Sequence, residues 1–127
     1  MEPAYDLNEF IKACGEVGKV KVLISASKTA HSLGIYSDPE ILKWIDEGAI
    51  HKPEYVNTKP WERNPDKTVE ILVDAYSFHD YFNISRYLYI AFMYQEKTGQ
   101  WLIKSLKLND SPSPKVFPFK ELFKLPK

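Results

Sequence analysis

One cysteine, five isolated glycines and no net charge are the scarcities of this 127-residue chain. Cys14 alone can build neither a disulfide framework nor a cysteine-based metal motif, and reads as a small buried or half-buried thiol on a helix. The glycines fall singly at element ends, so no Gly-rich phosphate loop exists. A G-x-S-x-G elbow, a Walker pattern and a paired acidic motif are likewise missing, which speaks against nucleotide-dependent enzymes and serine hydrolases. His31, His51 and His79 lie 20 and 28 residues apart, without zinc-like spacing, and neither a metal nor a cofactor is expected. No apolar run approaches the roughly 18 residues of a membrane helix. The start, Met1-Glu2-Pro3-Ala4-Tyr5-Asp6, has neither the basic nor the apolar part of a signal peptide, so a cytoplasmic protein without a membrane partner is expected. Finally, 17 Lys+Arg cancel 17 Asp+Glu, which argues against a whole-surface nucleic-acid coat.

What is present is the composition of a globular domain. The chain is 44% hydrophobic and 14% aromatic, unlike a disordered protein. Its length fits one domain and a core that hides about two-thirds of the unfolded surface. The neutral total conceals polarity: residues 101–127 hold six lysines against two acids, a local +4, which leaves −4 over residues 1–100. A basic C-terminal strand can hold a phosphate backbone, because each neutralised phosphate releases counterions.

The pattern predicts helices first and a sheet second. Asp6, with Glu9 three residues on, caps a helix carrying Leu7, Phe10, Ile11 and Cys14. Lys19–Ile24 alternates lysine and aliphatic residues as a half-buried strand. Ser25 or Ser27 caps a second helix that ends at Gly34. Ser37-Asp38-Pro39-Glu40 opens a third, with Ile41, Leu42, Trp44 and Ile45 on its apolar face. From His51 to Lys67, with Pro53, Pro60 and Pro65, a long loop is expected, and it carries Tyr55, Lys59, Trp61 and Arg63. Period two then predicts strands over Thr68–Tyr76, Arg86–Gln95 and Gln100–Leu108, the last two joined by a tight Lys97-Thr98-Gly99 hairpin. The reading is an α+β fold, with N-terminal short helices packed on an antiparallel β-sheet, in a single domain over residues 1–110. A Pro/Lys-rich extension follows over 111–127, where Phe119, Leu122 and Phe123 are spaced for one helical turn.

On the strand 86–95, Arg86, Leu88, Ile90, Phe92 and Tyr94 form the greasier face, expected to lie on the helices. Tyr87, Tyr89, Ala91 and Met93 form the other, where two tyrosines can stack on bases or donate to a phosphate; cross-strand packing explains them equally well. His79 is the histidine best placed for acid–base work.

The order of segments resembles a known family. Pro3-Ala4-Tyr5-Asp6-Leu7-Asn8-Glu9-Phe10, the Lys/Val strand, Ala30-His31-Ser32-Leu33-Gly34-Ile35 before a capped helix, and the closing Trp101-Leu102-Ile103-Lys104-Ser105-Leu106-Lys107 are similar to the motility quorum-sensing regulator (MqsR) toxins, which are RelE-like mRNA interferases of bacterial toxin–antitoxin systems. The resemblance covers about residues 3–107 and implies a RelE-like fold and metal-independent endoribonuclease cleavage of mRNA through the substrate's own 2′-hydroxyl. By position it implies Lys59, Tyr89 and Lys107 as catalytic, and it implies a cognate antitoxin protein as partner; Arg86, His79, Tyr87 and Lys104 are added from charge and strand position as the residues expected to contact RNA. Asp74-Ala75-Tyr76 matches an Asp-x-Tyr of that family, while Val73 stands where the family has a glutamine. The helices followed by long strands also resemble NTF2-like cone folds, non-enzymatic binding or immunity-type modules whose aromatic sheet lines a cavity.

Overall fold

Asp6 and Ser37 cap their helices as the sequence indicates. The structure, a computed structural model, describes residues 2–35 and 37–109. The Asp6 carboxylate accepts from Asn8 N at 2.8 Å and starts α1 (Leu7–Cys14). Ser37 Oγ accepts from Glu40 N at 3.3 Å and starts α3 (Asp38–Asp46), with Pro39 in its first turn. Between them come β1 (Val20–Val22) and α2 (Ile24–Ser32). No side chain caps α2; Leu23 takes that position, and the serines expected there are used elsewhere. Ser25 Oγ donates to Lys104 O at 3.1 Å and Ser27 Oγ to Asp38 Oδ1 at 3.0 Å.

Four longer strands follow: β2 (Ile50–Pro60), β3 (Leu72–Asp80), β4 (Asn83–Gln95) and β5 (Gln100–Leu108). Their order in the sheet is β1-β5-β4-β3-β2. All neighbours are antiparallel except β1, which runs parallel to β5, so the sheet is mixed. The class is α+β, with three helices on one face of a five-stranded sheet.

The stretch expected as a loop from His51 is therefore strand as far as Pro60. Two facts reconcile its prolines with a strand. β2 is an edge strand, where a missing N–H is tolerated. It is also irregular: register shifts fall between His51 and Glu54 and between Tyr55 and Asn57, and Lys52 adopts a positive φ of 50° beside Pro53. The true connection is the stretch 61–71. The β4–β5 hairpin turns at Gly99 with φ 70°, as its sequence suggests.

The main core lies between helices and sheet. Phe10 of α1 stacks on Phe92 of β4 with centroids 4.0 Å apart, and Trp101 meets Phe10 edge-on at 5.7 Å. Ile41 and Ile45 of α3, Ala26 and Ala30 of α2, and Phe78, Leu88, Ile90, Ile103 and Leu106 of the sheet complete it. Truncating Phe10 to alanine in such a site costs about 3–5 kcal/mol. A second, smaller cluster sits on the opposite face: Ile71, Val73, Ala75, Ala91, Met93 and Leu102, with Trp61 packed over it. The extension over 111–127 and its expected helical turn lie outside the described residues. Among the described residues, no helix is long and apolar enough to cross a membrane.

Candidate functional site

The helix-free face of the sheet carries the site. Cross-strand register arranges it in rows: Glu54, Ser77, Tyr89 and Lys107 in one, Asn57, Ala75, Ala91 and Ser105 in the next, then Lys59 opposite Val73. Two irregularities aim the cations. The extra residue Val56 lets Tyr55 lie toward the helices while Asn57 and Lys59 face the groove. On β5 the shift opposite Ala91 and Phe92 leaves Lys104 as an unpaired residue that also turns to the groove.

The result is a cavity of about 290 Å³ lined by Lys59, Arg63, Lys104, Glu62, Asn57 and Tyr89 around a bottom of Val73, Ala75 and Ala91. Three cations face one carboxylate here, in a chain whose total charge is zero. Glu62 and Arg63 are exposed on the connection 61–71, whose shape is pinned from within. Trp61 N donates to Ile71 O at 2.8 Å, and buried Asn64 donates through Nδ2 to Val69 O at 2.7 Å while accepting from Asp66 N at 3.0 Å. Asp66 pairs with Lys97 of the β4–β5 hairpin. That hydrogen bond, together with those from Thr68, holds the Asp66 carboxyl well below the usual carboxylate range.

Tyr89 is half-buried, and burial raises its phenol above the ordinary value of 10.0, so it stays protonated at neutral pH. Lys107 does not line the cavity; its ammonium lies over the Tyr89 ring, 5.2 Å from the centroid. His79 and Tyr87 are direct cross-strand partners in the next row out, with ring centroids 4.2 Å apart. The Tyr87 phenol is also raised, first by burial and then by the charge of Glu54.

Of the residues singled out from the sequence, Lys59, Tyr89 and Lys104 thus share one groove, with Lys107, His79 and Tyr87 on the same face beside it. Arg86 departs from that expectation. It follows the parity of Leu88 and Ile90 to the helix side and forms an ion pair with Asp80, which is 1% exposed. Asp74 and Tyr76 also point to the helix side. Asp74, fully buried, accepts from Ala4 N at 2.9 Å, Tyr5 N at 2.8 Å and Thr58 Oγ1 at 2.6 Å, tying the N-terminal segment to the sheet. Asn57, Glu62 and the two alanines carried no signal in the sequence; Asn57 reaches the groove only through the irregularity at Val56.

A larger cavity of about 380 Å³ opens at the far end of β4, between Tyr5, Ile71 and Tyr94. Its acids Asp66, Glu70 and Glu96 outnumber Lys97, which is already paired, so it repels phosphate. Among the described residues, no group of three or more His, Cys, Asp or Glu side chains is placed to hold a metal ion. The chain matches no protein family, no curated protein and no solved structure, so the chemistry of the groove rests on its own geometry.

Proposed function

We propose that this chain is a metal-independent endoribonuclease, the toxin of a toxin–antitoxin pair, which cleaves messenger RNA in the groove around Tyr89. The observation that carries the reading is the convergence of Lys59, Arg63 and Lys104 on a half-buried tyrosine in a chain of zero net charge. Preorganised cations of this kind stabilise charge that develops on a phosphoryl group in the transition state. The 2′-oxygen of the substrate attacks phosphorus as its proton passes to Glu62, the carboxylate lining the groove. The bond from phosphorus to the 5′-oxygen breaks, and that oxygen takes a proton from Tyr89. The products are a 2′,3′-cyclic phosphate and a free 5′-hydroxyl. A phenol held neutral by burial is suited to donate, because the alkoxide it meets is far more basic than itself. His79 and Tyr87 extend the same face as a platform for a neighbouring base. The fitting partner is an antitoxin protein that lays acidic side chains across the three cations.

Expression of the chain alone tests this. It should arrest growth, and purified protein should convert single-stranded RNA to fragments ending in 2′,3′-cyclic phosphate. Lys59→Ala combined with Lys104→Ala should relieve both effects. Intact RNA and unimpeded growth would overturn the reading.

A further inference from the structure

We infer that the bottom of the groove is a nucleobase subsite, in which one unstacked adenine of single-stranded RNA is held over Ala75 and Ala91 and read by Asn57. The inference rests on the ribonuclease reading of the same groove and adds to it what the site recognises. Depth comes from two small residues in direct opposition: Ala75 on β3 faces Ala91 on β4, while Tyr89 stands two residues away on β4 and Val73 two residues away on β3. A pair of larger side chains here would fill the pit. At about 290 Å³, the pit is just below the range of ligand pockets, which run from about 300 to 1,000 Å³, and suits one nucleotide unit rather than a folded partner. Its lower lining is apolar, from Val73, Ala75, Ala91 and the ring of Pro60.

Tyr89 supplies an aromatic wall. Lys107 lies over the ring and the ring lines the pit, and base–aromatic stacking is the usual way single-stranded RNA is held. Asn57 supplies the reading group. It is half-exposed at the pit, and its amide makes no hydrogen bond among the described residues. That amide presents a donor beside an acceptor, the pattern that matches the N6/N7 edge of adenine. Lys59, Arg63 and Lys104 then take the flanking phosphates.

The test uses fluorescent hexadeoxyuridylate, which lacks the attacking hydroxyl, and the same oligomer carrying one adenine, cytosine or guanine. The wild-type chain should bind the adenine oligomer about tenfold more tightly than the all-uracil one, the discrimination of one good bidentate contact. Asn57→Asp should reduce that ratio to below about threefold while all-uracil binding persists. Ala91→Leu, checked for folding by circular dichroism, should lower the ratio by filling the pit. If all four oligomers bind equally, or if Asn57→Asp keeps the adenine preference, the subsite is overturned and the ribonuclease reading stands. If none binds, both fall.

Discussion

Lys107 and Tyr89 are direct partners across β5 and β4, and the lysine ammonium rests 5.2 Å from the centre of the tyrosine ring. A cation over a partly exposed ring contributes about 0.5–1 kcal/mol, too little to decide the fold. Its consequence is positional: the ring is held between the lysine and the pit. Tyr89→Phe keeps ring and packing and removes only the proton donor. Cleavage should fall about 10²–10⁴-fold, the usual share of general acid–base catalysis, with RNA binding within twofold and an unchanged melting temperature. Equal losses of binding and cleavage would instead make Tyr89 a binding residue.

Alkaline pH should destabilise the protein in two stages. Cys14 is pushed from 9.0 up to about 12, by burial first and by the charge of Asp46 second. Tyr5, Tyr76, Tyr87 and Tyr89 are all raised above 10.0, chiefly by burial. In each case the folded group keeps its proton at a pH where the unfolded one has lost it. The stability these groups contribute is therefore complete below the unfolded value and is lost as pH climbs through the folded one. Urea midpoints should hold steady to about pH 9 and then decline, more steeply beyond 10. Cys14→Ala should flatten the segment between pH 9 and 10, and a thiol reagent at pH 8 should leave the native Cys14 unmodified.

Asp74 is the clamp of the N-terminal segment. Removing its carboxylate strands two backbone N–H groups and the Thr58 hydroxyl, which Tyr55 also contacts at 2.6 Å. Asp74→Ala should cost about 3 kcal/mol or more, and hydrogen exchange at the Ala4 and Tyr5 amides should accelerate. Unchanged protection there would mean that the ring contacts of Tyr5 with Trp101 and Phe92 suffice to dock the segment.

Arg86 separates stability from activity. Its partner Asp80 is almost wholly buried and also accepts from Phe82 N at 3.0 Å, so Arg86→Ala leaves a buried carboxylate without its cation. The loss should be about 3 kcal/mol in chemical denaturation. Cleavage per folded molecule should stay as in wild type, since Arg86 lies on the helix side of the sheet. A drop in activity with no loss of stability would return Arg86 to the substrate face.

Much of this architecture was legible because local signals agreed with the global fold. Ser37-Asp38-Pro39-Glu40 carries the start of α3 in four residues, and the period-two pattern of β4 assigns Leu88, Ile90 and Phe92 to the helices and Tyr89 to the other face. β2 was illegible for the converse reason. Pro53 and Pro60 read as breakers wherever a strand needs every N–H, and only an edge position excuses them. Its irregularities also erase the alternation that would have revealed a strand. Lys59, Tyr89 and Lys104 were named from charge and resemblance, but their meeting depends on registers between β2, β3, β4 and β5 that no local pattern encodes. Arg86 carries two conflicting signals: its charge suggests a phosphate contact, while its parity with Leu88 puts it on the helix side, where it pairs with Asp80.

The extra residue Val56 is the cheapest way to test that dependence. It is 44% exposed, so its removal sacrifices little packing. Deletion restores alternation between Glu54 and Pro60: Val56 is the residue without a partner on β3, so Tyr55 and Asn57 become neighbours on opposite faces and keep their partners Tyr76 and Ala75. Both sides of the cut are held, Thr58 to Asp74 by a charge-assisted hydrogen bond and Tyr55 to Tyr76 by an edge contact at 5.8 Å. Deleting Val56 should therefore change stability by no more than about 1 kcal/mol and leave RNA binding within about threefold, because Asn57 and Lys59 stay in the groove. Loss of binding with the fold intact would show that the bend which the extra residue puts into β2, and not alternation alone, aims Lys59 at the groove.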